Sequence, residues 1–216
     1  MNKVEIGGVE IGGRVQFGNI NGEPLIWRVA AKDHKGFPED TVTIVTEGTI
    51  GNITFAPADP LDKIRERRFY GSNRYKDSYA RRYINSDEFI QAVFSTGEIA
   101  AIARTEVKTK QPDIDGGGID TVSDLLFLLS ASEAGHEDED GEGSLLELFK
   151  DAESLRARDI DGDYDWWWLR SAVVSDSCSV RYVYSDGSAN YNVAYGGYWG
   201  VRPACNLLSG TPVCRV

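Results

Sequence analysis

Trp166-Trp167-Trp168-Leu169-Arg170-Ser171, the stretch at residues 173–198, and Gly200-Val201-Arg202-Pro203-Ala204-Cys205-Asn206-Leu207 form the part of this 216-residue chain that decides its reading. Residues 173–198 contain no Lys, Glu, Gln, Met or Trp, although the whole chain has 8, 15, 3, 1 and 5 of these. That exclusion has a genetic meaning. Asparagine codons whose adenines are replaced by any base encode Asn, Tyr, His, Asp, Ser, Thr, Ile, Phe, Cys, Leu, Pro, Arg, Val, Ala and Gly, and never the excluded five. The competing reading is a surface β-ribbon that favours small polar residues and Tyr for its own packing reasons. The stretch also has the chemistry of a paratope: Tyr supplies stiff, amphipathic contact area, while Ser, Gly and Asn supply adaptable hydrogen bonds.

Ser185-Asp186-Gly187-Ser188 reads as a hairpin turn between alternating strands at 180–184 and 189–193. On a strand, Trp167 points away from Trp166 and Trp168, which favours core packing over sugar stacking for the run. Arg170 is expected to make a structural salt bridge or hydrogen bonds, and Arg202 to bridge loop carbonyls. Upstream, the tandem Val4-Glu5-Ile6-Gly7-Gly8 and Val9-Glu10-Ile11-Gly12-Gly13 suggests a hairpin or edge ribbon. Residues 14–17 and 24–29, joined through Asn21-Gly22, read as a β-hairpin, with a further strand at 41–45. Tyr79, Tyr83, Ile84, Phe89, Ile90 and Val93 recur at helical spacing over 77–94, with Ser86 as an N-cap where the run breaks. A short helix begins at Thr96, the apolar run 124–130 reads as buried strand or core, residues 136–143 as an acidic loop, and 144–153 as a helix.

Composition narrows the function. The formal net charge of -11 has the wrong sign for a nucleic-acid partner. No apolar run is long enough to insert in a membrane. With 41% hydrophobic residues the chain can bury its own core, and lacking a Pro/Ser-rich linker it reads as a single domain, 1–216. The opening Met1-Asn2-Lys3-Val4-Glu5 lacks the apolar centre of a signal peptide, which leaves phage particle, cytoplasm and cell surface open as locations. Cys178, Cys205 and Cys214 are too few and too clustered for a disulfide framework, although Cys205 and Cys214 could pair under oxidising conditions. The two histidines, His34 and His136, belong to no metal-spaced or triad-like cluster, which disfavours hydrolase chemistry. Asp159, Asp161, Asp163 and Asp165 alternate around Gly162 and resemble a Ca²⁺ loop, but the terminal Glu of that pattern is missing and an acidic surface turn is preferred. No other cofactor is expected.

Trp167-Trp168-Leu169-Arg170-Ser171, Ser185-Asp186-Gly187-Ser188 and Gly200-Val201-Arg202-Pro203-Ala204 together resemble the C-terminal hallmarks of variable proteins from diversity-generating retroelements. Residues 18–29, 94–99 and 126–130 are similar to a domain of uncharacterised function common in phage and gut-bacterial proteins. The resemblance implies an α+β fold of the C-type-lectin type, formylglycine-generating-enzyme subtype, with paired terminal strands and two main helices. It implies a display protein, not an enzyme, whose C-terminal region is rewritten at adenines to bind protein or glycan targets on a host or neighbouring cell. The variable region is placed at about 173–199. Ser177, Ser179, Arg181, Tyr182, Tyr184, Asn190, Asn192, Tyr195 and Tyr198 are its candidate binding residues, expected to be exposed on one face above buried Trp168, Leu169, Val201 and Pro203. C-type-lectin relatives often hold calcium, which adds to the interest of the Asp159–Asp165 loop. The alternatives are a fixed-specificity phage-tail or surface adhesion module and a formylglycine-generating-type oxidase. The spacing of Cys205 and Cys214 does not fit the cysteine pair of that oxidase.

Overall fold

The computed structural model describes residues 3–136, 141–197 and 199–216. Strands β1 (Lys3–Glu5), β2 (Arg14–Ile20), β3 (Glu23–Lys32), β4 (Thr41–Thr46) and β5 (Asn52–Ile53) open the chain. The turn between β2 and β3 is the expected one: Asn21 and Gly22 both take positive φ, 53° and 85°, whose twist matches that of the flanking strands. Helices α1 (Arg67–Tyr70), α2 (Tyr79–Ile84), α3 (Asp87–Val93) and α4 (Thr96–Ala101) follow. Then come β6 (Ile102–Ala103), β7 (Thr105–Lys110), β8 (Ile119–Asp124) and β9 (Phe127–Leu128). The chain continues through α5 (Ala152–Leu155), β10 (Ala157–Arg158), β11 (Tyr164–Asp165) and β12 (Trp167–Ala172). It ends with β13 (Ser179–Val183), β14 (Ala189–Val193), β15 (Trp199–Gly200), β16 (Pro203–Leu208) and β17 (Pro212–Arg215).

Two sheets dominate. The larger runs β1-β17-β2-β3-β4-β16-β6, with β9 also on β16, and curls into an antiparallel half-barrel. The smaller, five-stranded sheet runs β14-β13-β12-β15-β5 and carries the whole C-terminal ribbon. With 36% of residues in strands, 17% helical and only short helices, the chain is β-rich, which overturns the expected α+β class and C-type-lectin pattern. The terminal strands do pair, Val4 opposite Val213.

The missing main helices have a local cause. Ser78, Ser86 and Ser95 accept the backbone N–H of Arg81, Phe89 and Glu98 at 3.1, 3.1 and 3.3 Å, so the helical spacing over 77–101 is cut into short capped helices of six or seven residues. At Ser95 the cap is reciprocal, with Glu98 Oε2 accepting the Ser95 N–H at 2.8 Å. The expected helix at 144–153 is absent except for α5, because tertiary partners take its backbone: Leu146 N–H donates to Glu133 O and Leu148 N–H to Ala30 O. The N-terminal repeat is an edge strand followed by a loop rather than a hairpin. Its first copy pairs with β17, and its second is a loop tied to Val29.

The ribbon is framed by two buried arginines. Arg170 spends all its donors: Nε on Lys108 O (3.1 Å), Nη1 on Leu128 O (2.8 Å) and Glu133 Oε2 (2.6 Å), Nη2 on Glu133 Oε1 (2.7 Å) and Glu142 O (2.8 Å). Arg202 bridges carbonyls, Nε to Thr46 O (3.0 Å) and Nη1 to Leu155 O (2.9 Å).

Candidate ligand-binding surface

Register decides what the ribbon can present. Trp168 stands opposite Tyr182, Tyr182 opposite Asn190, and Val180 opposite Asn192, so Trp168, Tyr182, Tyr184, Asn190 and Asn192 share one face. Arg181 stands opposite Tyr191 and Ser179 opposite Val193, which puts Ser179, Arg181 and Tyr191 on the other face with Trp167 and Val183. Alternation along the tryptophan run is as expected. Trp167 is buried against the Arg202 guanidinium, 5.0 Å from its ring, and donates Nε1–H to Leu155 O.

On the first face the aromatic side chains interlock. Trp168 and Trp199 stack at 4.8 Å, Tyr182 meets Trp199 edge-on at 4.0 Å, and Trp166 lies over both Tyr182 (5.9 Å) and Tyr184 (4.8 Å). Trp168 and Tyr182 are buried, whereas Trp166 is 38% exposed. Burial, then neighbouring Tyr184, pushes the Tyr182 hydroxyl above the ordinary phenol range. These rings are therefore a platform whose outer rim alone reaches solvent.

Strand β14 is the edge of the sheet, and its pattern of bonding is specific. Ala194 N–H donates inward to Cys178 O at 2.7 Å, and in the same phase Asn190 and Asn192 face β13. Tyr191 and Val193 therefore turn their N–H groups outward, where the side chains of Asn190 and Asn192 accept them at 2.8 and 2.7 Å. Tyr195 N–H donates to Tyr70 O at 2.7 Å, which brings α1 to the end of the edge. An edge whose donors are already used is a poor template for strand addition, so contact must come through side chains.

Upstream residues pin the base of the ribbon. Asn73 Nδ2 donates to Val173 O, Asp176 O and Ser179 O at 3.3, 3.1 and 3.1 Å, and Arg67, paired with Asp115, donates Nε–H to Ser177 O at 3.0 Å.

The chain matches a family described as a domain of unknown function (DUF6273) over residues 40–209, most of its length. The chain belongs to that family. Comparisons with curated proteins and with solved structures gave no match. The DUF6273 region takes in the five-stranded sheet whole, while β1, β2, β3 and β17 of the half-barrel lie outside it.

The nine candidate residues of the DUF6273 chain divide three ways. Asn190 and Tyr195 are exposed; Arg181, Tyr184 and Asn192 are half-buried; Ser177, Ser179 and Tyr182 are buried, against the expectation of exposure. Tyr198 lies outside the described residues. Tyr182 is covered by the Trp166, Trp168 and Trp199 rings, and convergence on a single face fails because Ser179 and Arg181 alternate with it to the other side of β13. The four framework positions Trp168, Leu169, Val201 and Pro203 are all buried. The nine candidates left out Tyr191, 57% exposed and one of the tyrosines of the paratope-like stretch, and sequence reasoning missed the contribution of Tyr70, 48% exposed. Period-two counting from Arg181 could have found the first; nothing local marks the second.

The acidic turn holds itself together. Asp159 Oδ1 accepts Asp161 N–H and Asp163 N–H, each at 3.0 Å, and Asp165 accepts Trp166 N–H (2.8 Å) and the Thr49 hydroxyl (3.0 Å). Burial raises the Asp165 carboxyl above its usual range. Among the described residues no three metal-ligating side chains converge. All three cysteines are free thiols, Cys178 in the bend before β13, Cys205 on β16 and Cys214 on β17.

Proposed function

We propose that this chain is a ligand-binding protein without catalytic role, which grips a macromolecular target on a cell surface through the outer edge of its five-stranded sheet. The contact surface wraps that edge: Asn190 and Asn192, with the rims of Trp166 and Tyr184, on one face, Tyr191 on the other, and Tyr195 just beyond the end of the strand. One observation carries this reading: exposed Asn190 and half-buried Asn192 of the edge strand β14 lie on the face of the buried Trp168, Tyr182 and Trp199 rings, and exposed Tyr191 projects from the opposite face of the same strand. Side chains that do not support the core can be replaced freely, since exposed changes usually fall within about 0.5 kcal/mol. Such an arrangement suits a site rewritten by adenine-directed mutagenesis, and the residue composition of 173–198 fits that origin.

Two measurements test the reading. The chain and its N190A/Y191A/Y195A variant are compared on a glycan array and against purified host-surface proteins. Loss of every specific partner at an unchanged melting temperature is expected, and partners retained by the variant would remove the site from β14. Sequencing the surrounding locus separates a diversified protein from a fixed adhesion module. A neighbouring reverse-transcriptase gene and a near-copy of the 173–198 coding segment differing only at adenines is expected; its absence favours fixed specificity.

A further inference from the structure

A cleft of about 910 Å³ opens away from β14, between the β2–β3 hairpin end, the 47–52 segment and the 156–164 loop. Its cations are unevenly matched. Arg156 is paired with Glu153 at 2.7 Å, and the guanidinium groups of Arg156 and Arg158 cover the Tyr164 ring at 3.5 and 3.9 Å, so that ring is a stiffened wall and no stacking platform. Arg28, half-buried on the wall, has no side-chain hydrogen bond or ion pair among the described residues. Arg202 sits directly behind, because its carbonyl partners Thr46 and Leu155 precede the wall residues Glu47 and Arg156. Its Nη2 is buried with no partner, and burial together with neighbouring Arg28 pushes the guanidinium down to about 9. The carboxylate that opposes this repulsion, Glu47, is already taken by Arg14, so an incoming anion at Arg28 relieves the remaining cost.

The carboxylates of the cleft are mostly committed. Glu47 is held by Arg14 at 2.7 Å, Glu153 by Arg156, and Asp159 by backbone N–H groups. Glu23 and Asp161 remain at the exposed rim as hydrogen-bond acceptors, above an apolar floor that includes Leu25 and Ile50. We infer that this cleft is a second binding site, independent of the β14 surface, that takes a sugar acid: its carboxylate on the Arg28 fork, its hydroxyls donating to Glu23 and Asp161. The guanidinium fork matches a carboxylate bidentately. The acidic rim and the net charge of -11 turn away polyanions, which fits the site to a single carboxylate on a neutral, hydroxylated body.

Titration calorimetry with glucuronate and N-acetylneuraminate tests the site, with glucose and methyl glucuronate as uncharged controls. Saturable binding of at least one acid is expected. It should weaken at least about tenfold, which is about 1.4 kcal/mol, in R28M and less in R28K. The N190A/Y191A/Y195A variant should bind the acid unchanged, so failure here and failure of the β14 reading are read separately. Should R28M melt early, the methyl ester on the unaltered chain decides, because it removes the charge from the ligand instead. No saturable binding of either acid, or equal binding of the ester, overturns the inference.

Discussion

Replacing Arg170 with Met tests the frame beneath the ribbon. The guanidinium and the Glu133 carboxylate are each 1% exposed, and every Arg170 N–H is spent on β7, β9, the 130–133 turn or Glu142. R170M leaves Glu133 as an uncompensated buried charge and strips donors from three carbonyls. Breaking a buried pair in this way costs about 3–5 kcal/mol. Glu133 Oε2 keeps one donor, Ser130 N–H at 3.1 Å, which places the expected loss toward the lower end. For a chain of this size that lowers the melting temperature by roughly 6–20 °C. Urea unfolding followed by tryptophan fluorescence reads the loss directly. The double variant R170M/E133M should recover part of it, since no buried charge is left behind. A loss under about 1 kcal/mol for R170M, or a double variant as unstable as the sum of the singles, would refute the reasoning.

Glu142 gives a pH signature. Burial pushes its carboxyl up to about 7 against the opposing pull of Arg170, Ser171 and the Lys110 N–H. A folded pKa above the unfolded one means its stabilising contribution is complete below about pH 4.3 and is lost as pH rises through 7; relative to E142Q, the parent should lose on the order of 3 kcal/mol between pH 4 and 8, by urea unfolding at each pH. A parallel pH dependence in E142Q would contradict this. N73A removes the two amide N–H donors shared by three carbonyls of the ribbon's first turn and should cost about 1–3 kcal/mol, with faster hydrogen exchange confined to residues 173–180. Uniform exchange across the chain would place the role of Asn73 elsewhere. Cys205 is fully buried with its thiol pushed far up, so native alkylation should label Cys214 first and Cys205 only on unfolding, as peptide mass spectrometry can show. Early Cys205 labelling would mean β16 opens locally.

Local chemistry was legible in the sequence where one residue type dictates one geometry. Asn21-Gly22 fixed a turn, Ser86 a cap, Ser185 to Ser188 a hairpin, and the tryptophan run its alternation. The class was not legible, because the apolar spacing of 77–94 fits one long helix as well as short helices cut by capping serines, and only tertiary packing chooses between them. Residues 144–153 failed for a related reason: Leu146, Leu148 and Phe149 are buried as a helix face would be, yet the N–H groups of Leu146 and Leu148 are claimed by Glu133 and Ala30. In the candidate site, composition marked out the ribbon but could not tell edge from interior. Tyr182 is buried and Tyr195 exposed although both are tyrosines, and Ser177 and Ser179 are buried although they are as small and polar as exposed Asn190.

The central claim is that display and support are separated along β13 and β14. Two pools of variants, each carrying adenine-randomised asparagine codons, measure that separation: one at positions 184, 190, 191, 192 and 195, the other at the fully buried Val180, Val183 and Ala194. Protease resistance on a display platform, read by sequencing, reports the folded fraction of each pool. Most members of the first pool should survive and few of the second, since large-to-small changes in a core cost about 2–5 kcal/mol each. Equal losses from both pools would mean that β14 supports the fold, and would contradict the account.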